Sequence, residues 1–224
     1  MACSIKICGL STATTLGAAL EAGADMVGLV LFERSPRFVG FDRARELATR
    51  ARGRAKIVAL SVDASDETLA AIVSAIGPDF LQLHGAESPE RVVEISREFA
   101  LPVIKALGVA DAGGFDKARE YEEAADWLLI DAKPPEGATR PGGNGAPFDW
   151  RLARSFVPQK PWLLSGGLDP VNVGEAIALS GARGVDVSSG VESAPGVKDI
   201  EKIKAFVAAA RAAFARSHEA RSIA

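Results

Sequence analysis

Short apolar runs alternate along the chain with segments of helical period. The runs cover residues 5–8, 26–32, 57–62, 80–84, 103–107, 127–131, 162–165 and 184–188. Between them the apolar spacing changes. Leu69, Ile72, Val73 and Ile76 fall at i, i+3, i+4 and i+7, which places one greasy stripe along a helix. Ser88-Pro89 and Asp169-Pro170 each set a capping residue before a proline suited to the first helical turn. Gly77 and Gly181 stand where two of these helices must stop. The last helix carries Ile200, Ile203, Phe206, Val207 and Phe214 on one side, and residues 217–224 continue without a periodic pattern, as a flexible tail would. Regular alternation of strand and helix predicts a parallel sheet, and eight such units predict a single-domain (β/α)8 barrel of the TIM type over residues 1–216. In that architecture the active site lies at the C-terminal ends of the strands.

Several predicted strands break the apolar rule for buried parallel sheet, and they break it on one parity. Lys6 and Cys8 alternate with Ile5 and Ile7, and Gln82 and His84 with Leu81 and Leu83. Asp131 ends Leu129-Ile130-Asp131, and Asp186 and Ser188 alternate with Val185 and Val187. Helices cover only apolar surface, so the wholly apolar parity must face them and the polar parity must face the barrel axis. Buried polar groups cost free energy unless paired or wet. Gathered at one end of the strands, they read as the wall of a polar pocket.

Bulk properties narrow the options. The 224 residues suit one domain with short loops, slightly under the roughly 250 typical of this barrel. A net charge of −3 with 25% charged residues advertises neither nucleic acid nor an acidic membrane as partner. No run approaches the roughly 18 apolar residues of a membrane span. Two cysteines, Cys3 and Cys8, cannot staple a fold, and free thiols fit a reducing cytoplasm. Nothing decides between a monomer and a homodimer. One segment exceeds the short-loop expectation: residues 132–148, rich in Gly and Pro, have the length of a functional lid.

Two Gly/Ser turns follow strands seven and eight, Ser165-Gly166-Gly167-Leu168 and Ser188-Ser189-Gly190-Val191. Glycine lets the backbone approach a ligand, and free N–H groups at such turns hold anions. Barrels often bind phosphate at these two loops. Gly166, Gly167, Ser188, Ser189 and Gly190 are therefore candidates to hold the phosphate of a small phosphorylated substrate. Three readings remain open at this point: an acid–base enzyme, a Schiff-base lyase using Lys6 or Lys105 as nucleophile, and a barrel that only binds a phosphosugar.

The ordered motifs resemble the phosphoribosylanthranilate isomerase family. They comprise Lys6-Ile7-Cys8-Gly9, Ser35-Pro36-Arg37-Phe38-Val39, Gln82-Leu83-His84-Gly85, Leu129-Ile130-Asp131 and Gly142-Gly143-Asn144-Gly145. Phe148-Asp149-Trp150, Leu164-Ser165-Gly166-Gly167-Leu168 and Asp186-Val187-Ser188-Ser189-Gly190-Val191-Glu192 complete the set. Leu10-Ser11 and Asn144 depart from the usual family residues without touching a proton-transfer position.

The resemblance implies an Amadori rearrangement of N-(5-phosphoribosyl)anthranilate, a step of tryptophan biosynthesis that needs no cofactor and no metal. It implies Asp131 as general acid and Cys8 as general base, Arg37 as partner of the anthranilate carboxylate, and His84 and Asp186 as positioning groups. It also sets the site a task, because a free Asp is ionised and a free Cys mostly protonated at neutral pH. A dual-substrate barrel that also serves histidine biosynthesis is disfavoured by the thiol base, since such enzymes resemble paired-Asp isomerases.

Overall fold

The computed structural model of the protein describes residues 3–132 and 149–223, with side chains to residue 217. Eight parallel strands close into a barrel in sequence order: β1 (Ser4–Cys8), β2 (Met26–Val30), β3 (Lys56–Ser61), β4 (Phe80–Leu83), β5 (Val103–Val109), β6 (Trp127–Ala132), β7 (Trp162–Leu164) and β8 (Gly184–Val187). β8 returns to pair with β1, with Lys6 level with Asp186. Around the outside run α1 (Ala13–Ala22), α2 (Phe41–Ala51), α3 (Asp66–Ile76), α4 (Pro89–Phe99), α5 (Ala112–Arg119), α6 (Val173–Ser180) and α7 (Ile200–Ile223). The last of these takes in residues after 216 whose sequence carries no helical period.

The parity expected from the sequence is the parity of the barrel. Ile5, Ile7, Leu81, Leu83, Leu128, Ile130, Val185 and Val187 pack with helix residues such as Leu16, Ile72, Ile95 and Phe206 in the outer core. Inside the barrel, Met26, Val58, Ile104, Ala106, Leu129 and Leu163 fill a separate apolar layer. Above it Cys8 packs with Val30 and Leu60. The polar residues thus lie over an oily floor.

Local chemistry explains most element ends. Ser88 accepts a hydrogen bond from the Arg91 N–H with Pro89 at the start of α4. Gly77 and Gly181, both with left-handed backbone, close α3 and α6. Three expectations need correction. Asp169 does not cap α6: its Oδ1 accepts from the N–H groups of Val171 and Asn172, closing a turn, and the helix begins at Val173. The described residues after β6 hold a 3-10 helix, Trp150–Ser155, where the alternation predicted an α-helix. After β8 a second 3-10 turn, Ser189–Val191, leads into an antiparallel hairpin of β9 (Glu192–Ala194) and β10 (Val197–Lys198) before α7. Of the proposed lid, 132–148, all but residue 132, which ends β6, lies outside the described residues.

Lys105 belongs to the scaffold. Ile104 and Ala106 occupy the barrel interior, so Lys105 faces outward, where its ammonium bonds to Glu87 Oε2 at 2.9 Å and to the carbonyls of Gly85 and Leu83. Glu87 also accepts from the N–H groups of Asp63 and Gly85, fixing the loop that follows β4. Breaking a buried ion pair strands a charge, at a cost of about 3–5 kcal/mol. Glu87→Ala should therefore lower unfolding free energy by about that amount in urea titration; an unchanged midpoint would refute this role.

Candidate active site

Each site residue sits where its strand delivers it. On β1, Lys6 is fully buried and its Nζ contacts Asp186 Oδ1 at 2.6 Å; Ser165 Oγ donates to the other carboxylate oxygen at 3.2 Å. Burial alone would pull the Lys6 ammonium down, but the adjacent carboxylate and thiol overcome it and hold its pKa above the ordinary lysine value. Lys6 is therefore a protonated structural cation, a poor Schiff-base nucleophile. Cys8 stands two residues further along the same face. Burial pushes its thiol above the usual range; Lys6 and Lys198 pull the other way, and Asp186 adds to the rise.

Gly28 makes the room for that thiol. It lies level with Cys8 on β2, and a Cβ added there would come within 2.8 Å of Cys8 Sγ and 3.1 Å of its Cα. A strand glycine often marks such a close approach.

Across the barrel, β4 and β6 bring His84 and Asp131 together, with His84 Nε2 3.5 Å from Asp131 Oδ2. Gln82 Nε2 lies 3.2 Å from His84 Nδ1, so the amide and the imidazole form one hydrogen-bonded pair. Asp131 Oδ1 accepts from the Ala132 N–H at 2.9 Å. On the intervening strand Gly108 stands opposite Asp131 and presents no side chain.

The two Gly/Ser turns meet at the neighbouring strand ends. Gly166 and Gly167 adopt left-handed backbone, φ +86° and +65°, and a Cβ on Gly166 would lie 2.5 Å from the Ala132 nitrogen. A Cβ on Gly190 would overlap the Leu168 carbonyl, so the second turn packs directly on the first. Ser188 Oγ donates to the Cys8 carbonyl, tying that turn to β1.

Arg37 follows β2 in a loop that returns along the strand through a Val30–Phe38 bridge. It is buried, lies across Gly9, and gives Nε and Nη2 to the two carboxylate oxygens of Glu192 at 2.7 and 2.9 Å. The sequence reading assigned no role to Glu192, or to Lys198, whose Nζ bonds Glu192 Oε1 at 2.8 Å and Ser188 O at 2.7 Å. Glu192 stood in a matched motif, and Pro195-Gly196 was a turn signal that could have exposed the hairpin carrying Lys198. A separate cavity of about 710 Å³ lies at the opposite, N-terminal end of the barrel, lined by Ser4, Trp127, Trp162 and Arg183 among others; it holds none of the sequence-predicted site residues. Among the described residues no group of three or more His, Cys, Asp or Glu side chains is placed to hold a metal.

Residues 5–209 match the family model described as N-(5'phosphoribosyl)anthranilate (PRA) isomerase. The chain belongs to this family. A relative named N-(5'-phosphoribosyl)anthranilate isomerase, from Rhodopseudomonas palustris (strain BisA53), is 57% identical and the match covers 95% of this chain and 97% of that protein. The phosphoribosyl anthranilate isomerase structure from Thermotoga maritima superposes with a TM-score of 0.82 at 35% identity, over 95% of this chain and all of that one. A phosphoribosyl anthranilate isomerase structure in complex with reduced 1-(o-carboxyphenylamino)-1-deoxyribulose 5-phosphate superposes at 0.81, with 32% identity and 95% of this chain covered. No helix among the described residues is long and apolar enough to cross a membrane.

The Gly28 observation generates a test within this family's chemistry. Gly28→Ala should fold, displace the Cys8 thiol and cut turnover by about 10²-fold, the scale on which an ångström of misplacement acts. Unchanged turnover in a steady-state assay would show that the space beside Cys8 is not needed.

Proposed function

We propose that Cys8 and Asp131 share the proton transfers of an Amadori rearrangement, with the phosphate of the substrate held by the turns after β7 and β8. As a member of its family the protein is an isomerase acting in tryptophan biosynthesis, on N-(5'-phosphoribosyl)anthranilate. The observation that carries the assignment of residues is placement: a thiol on β1 and a carboxyl on β6 are both buried within the same polar end of the barrel.

In this reading the Asp131 carboxyl gives its proton to the furanose oxygen, which opens the ring to an iminium. His84 faces Asp131 and orients it. The Cys8 thiolate takes the proton from C2, producing an enolamine that tautomerises to the ketone. Acid and base approach from strands on different sides of the ring, as two separate reacting atoms require. Backbone N–H groups of Gly166, Gly167, Ser189 and Gly190, with the Ser188 turn, supply donors for the phosphate. Asp186 acts at one remove, by holding Lys6 beside Cys8. Arg37 receives the anthranilate carboxylate; Glu192 already holds two faces of its fork, which fixes the orientation of the remaining Nη1.

Anthranilate fluorescence with freshly generated substrate tests the roles. Cys8→Ser and Asp131→Asn should each lower kcat by about 10² to 10⁴-fold, the usual scale of acid–base catalysis. Arg37→Ala should chiefly raise KM. Normal turnover by Cys8→Ser would remove the thiol as base. The raised Cys8 pKa places one limb of the pH dependence. A base works only when deprotonated and an acid only when protonated, so kcat/KM should follow a bell in pH with one limb above the ordinary thiol value, about 8.5. A profile whose limbs both lie below that value would contradict it.

A further inference from the structure

One buried charge in the mouth is unmatched by the pairs around it. Lys6 and Asp186 balance each other. Glu192, by contrast, accepts from both Arg37 and Lys198, and among the described residues it is the carboxylate paired with either cation. Among the described residues two positive charges share one negative charge, so the group carries a surplus of one.

The geometry identifies Lys198 as an ammonium. Its Nζ has three acceptors: Glu192 Oε1 at 2.8 Å, Ser188 O at 2.7 Å and Ser188 Oγ at 3.3 Å. The Ser188 hydroxyl proton is directed to the Cys8 carbonyl, so toward Lys198 that oxygen accepts. Three acceptors call for the three N–H donors of a protonated amine. The Lys198 side chain is wholly buried and therefore reaches no substrate directly. Burial holds its pKa below the ordinary lysine value, with Arg37 adding to the fall, while Glu192 and Cys8 support the charge. Lys6 on β1, Asp186 on β8 and Lys198 on β10 are the charged groups that act on the Cys8 thiol.

We propose that Lys198 is a positioning residue for the reaction: its surplus positive charge stabilises Cys8 as a thiolate, and its bonds to Ser188 lock the anion-binding turn to the strand that carries Cys8. The inference rests on the reading of Cys8 as the base. Before taking a proton from C2, the thiol must release its own to solvent, leaving a negative charge in a buried place. Lys6 cannot supply the compensation alone, because Asp186 already takes its charge. Glu192 then has a second function besides holding Arg37: it moderates the field of Lys198.

The chain's second thiol, Cys3, lies ahead of β1, so a Cys3→Ala background leaves Cys8 as the sole cysteine. In that background the thiolate is titrated by its ultraviolet absorbance in the ligand-free protein, and kcat/KM is followed against pH. Lys198→Met should move the thiol midpoint upward by about one pH unit, the scale of one close charge. Glu192→Gln should move it downward, and Lys198→Arg should leave it in place. Opposite shifts from two neighbours in one network are the signature of charge, which a purely structural role would not give. Midpoints that stay fixed in both variants, or move the same way, overturn the proposal. Should Lys198→Met fail to fold, a Glu192→Gln midpoint at or above that of the parent overturns it equally. The absorbance titration is independent of turnover, so it separates failure here from failure of Cys8 as base: the predicted shifts with normal activity in Cys8→Ser would sink the base assignment alone.

Discussion

The contact between Lys6 and Asp186 joins the first strand of the barrel to the last, at 2.6 Å and with the lysine fully buried. An ammonium and a carboxylate taken out of water are expensive, and their attraction repays that cost only in close, well-bonded geometry. Here the geometry comes from register. β1 and β8 pair so that the two residues stand level, and Ser165 from β7 satisfies the second carboxylate oxygen. The seam of the barrel is thus closed by charge above an apolar floor. Cys8, one step higher on the same face, inherits its electrostatic surroundings from that closure.

The same logic extends to the rim. Arg37, Glu192, Lys198 and Ser188 link the loop after β2, the hairpin after β8 and the carbonyl of Cys8. Each charged head is buried, and the pairing that makes burial tolerable also fixes position. On the far side, His84 and Asp131 are held by Gln82 and the Ala132 N–H, with the open Gly108 position between them. The Cys8 thiol is pushed up by burial and pulled down by two lysines, so its readiness to lose a proton depends on its neighbours.

Much of this was legible in the sequence, because alternation along a strand is a local property. Ile5 and Ile7 against Lys6 and Cys8 reveal which face meets helices, and β1, β4, β6 and β8 obey that reading, whereas β5 turns its polar Lys105 outward. The turns at Gly166 and Gly190 were visible as glycines, which close packing and, at Gly166, left-handed backbone explain. What the sequence concealed is long-range or very short. The Arg37–Glu192 pair spans most of the chain, and no spacing rule encodes it. β9 and β10 are too brief for a period of two to register, so Lys198 went unassigned. Lys105 looked like Lys6, a lysine within a strand, but a shift of one residue in parity sends it out to Glu87 and the helical shell. The start of α6 was misplaced because Asp169 bonds to its own turn as readily as to a helix.

The proposed mechanism requires the Cys8 thiol and the Asp131 carboxyl to face one bound substrate from different strands. The most direct measurement is a crystal structure of this protein with the product analogue reduced 1-(o-carboxyphenylamino)-1-deoxyribulose 5-phosphate. The account predicts the phosphate against the turns at Gly166–Gly167 and Ser188–Gly190, the thiol beside C2, and Asp131 beside the oxygen released from the ring. A ligand lodged elsewhere, with Cys8 and Asp131 out of reach of those atoms, would contradict it.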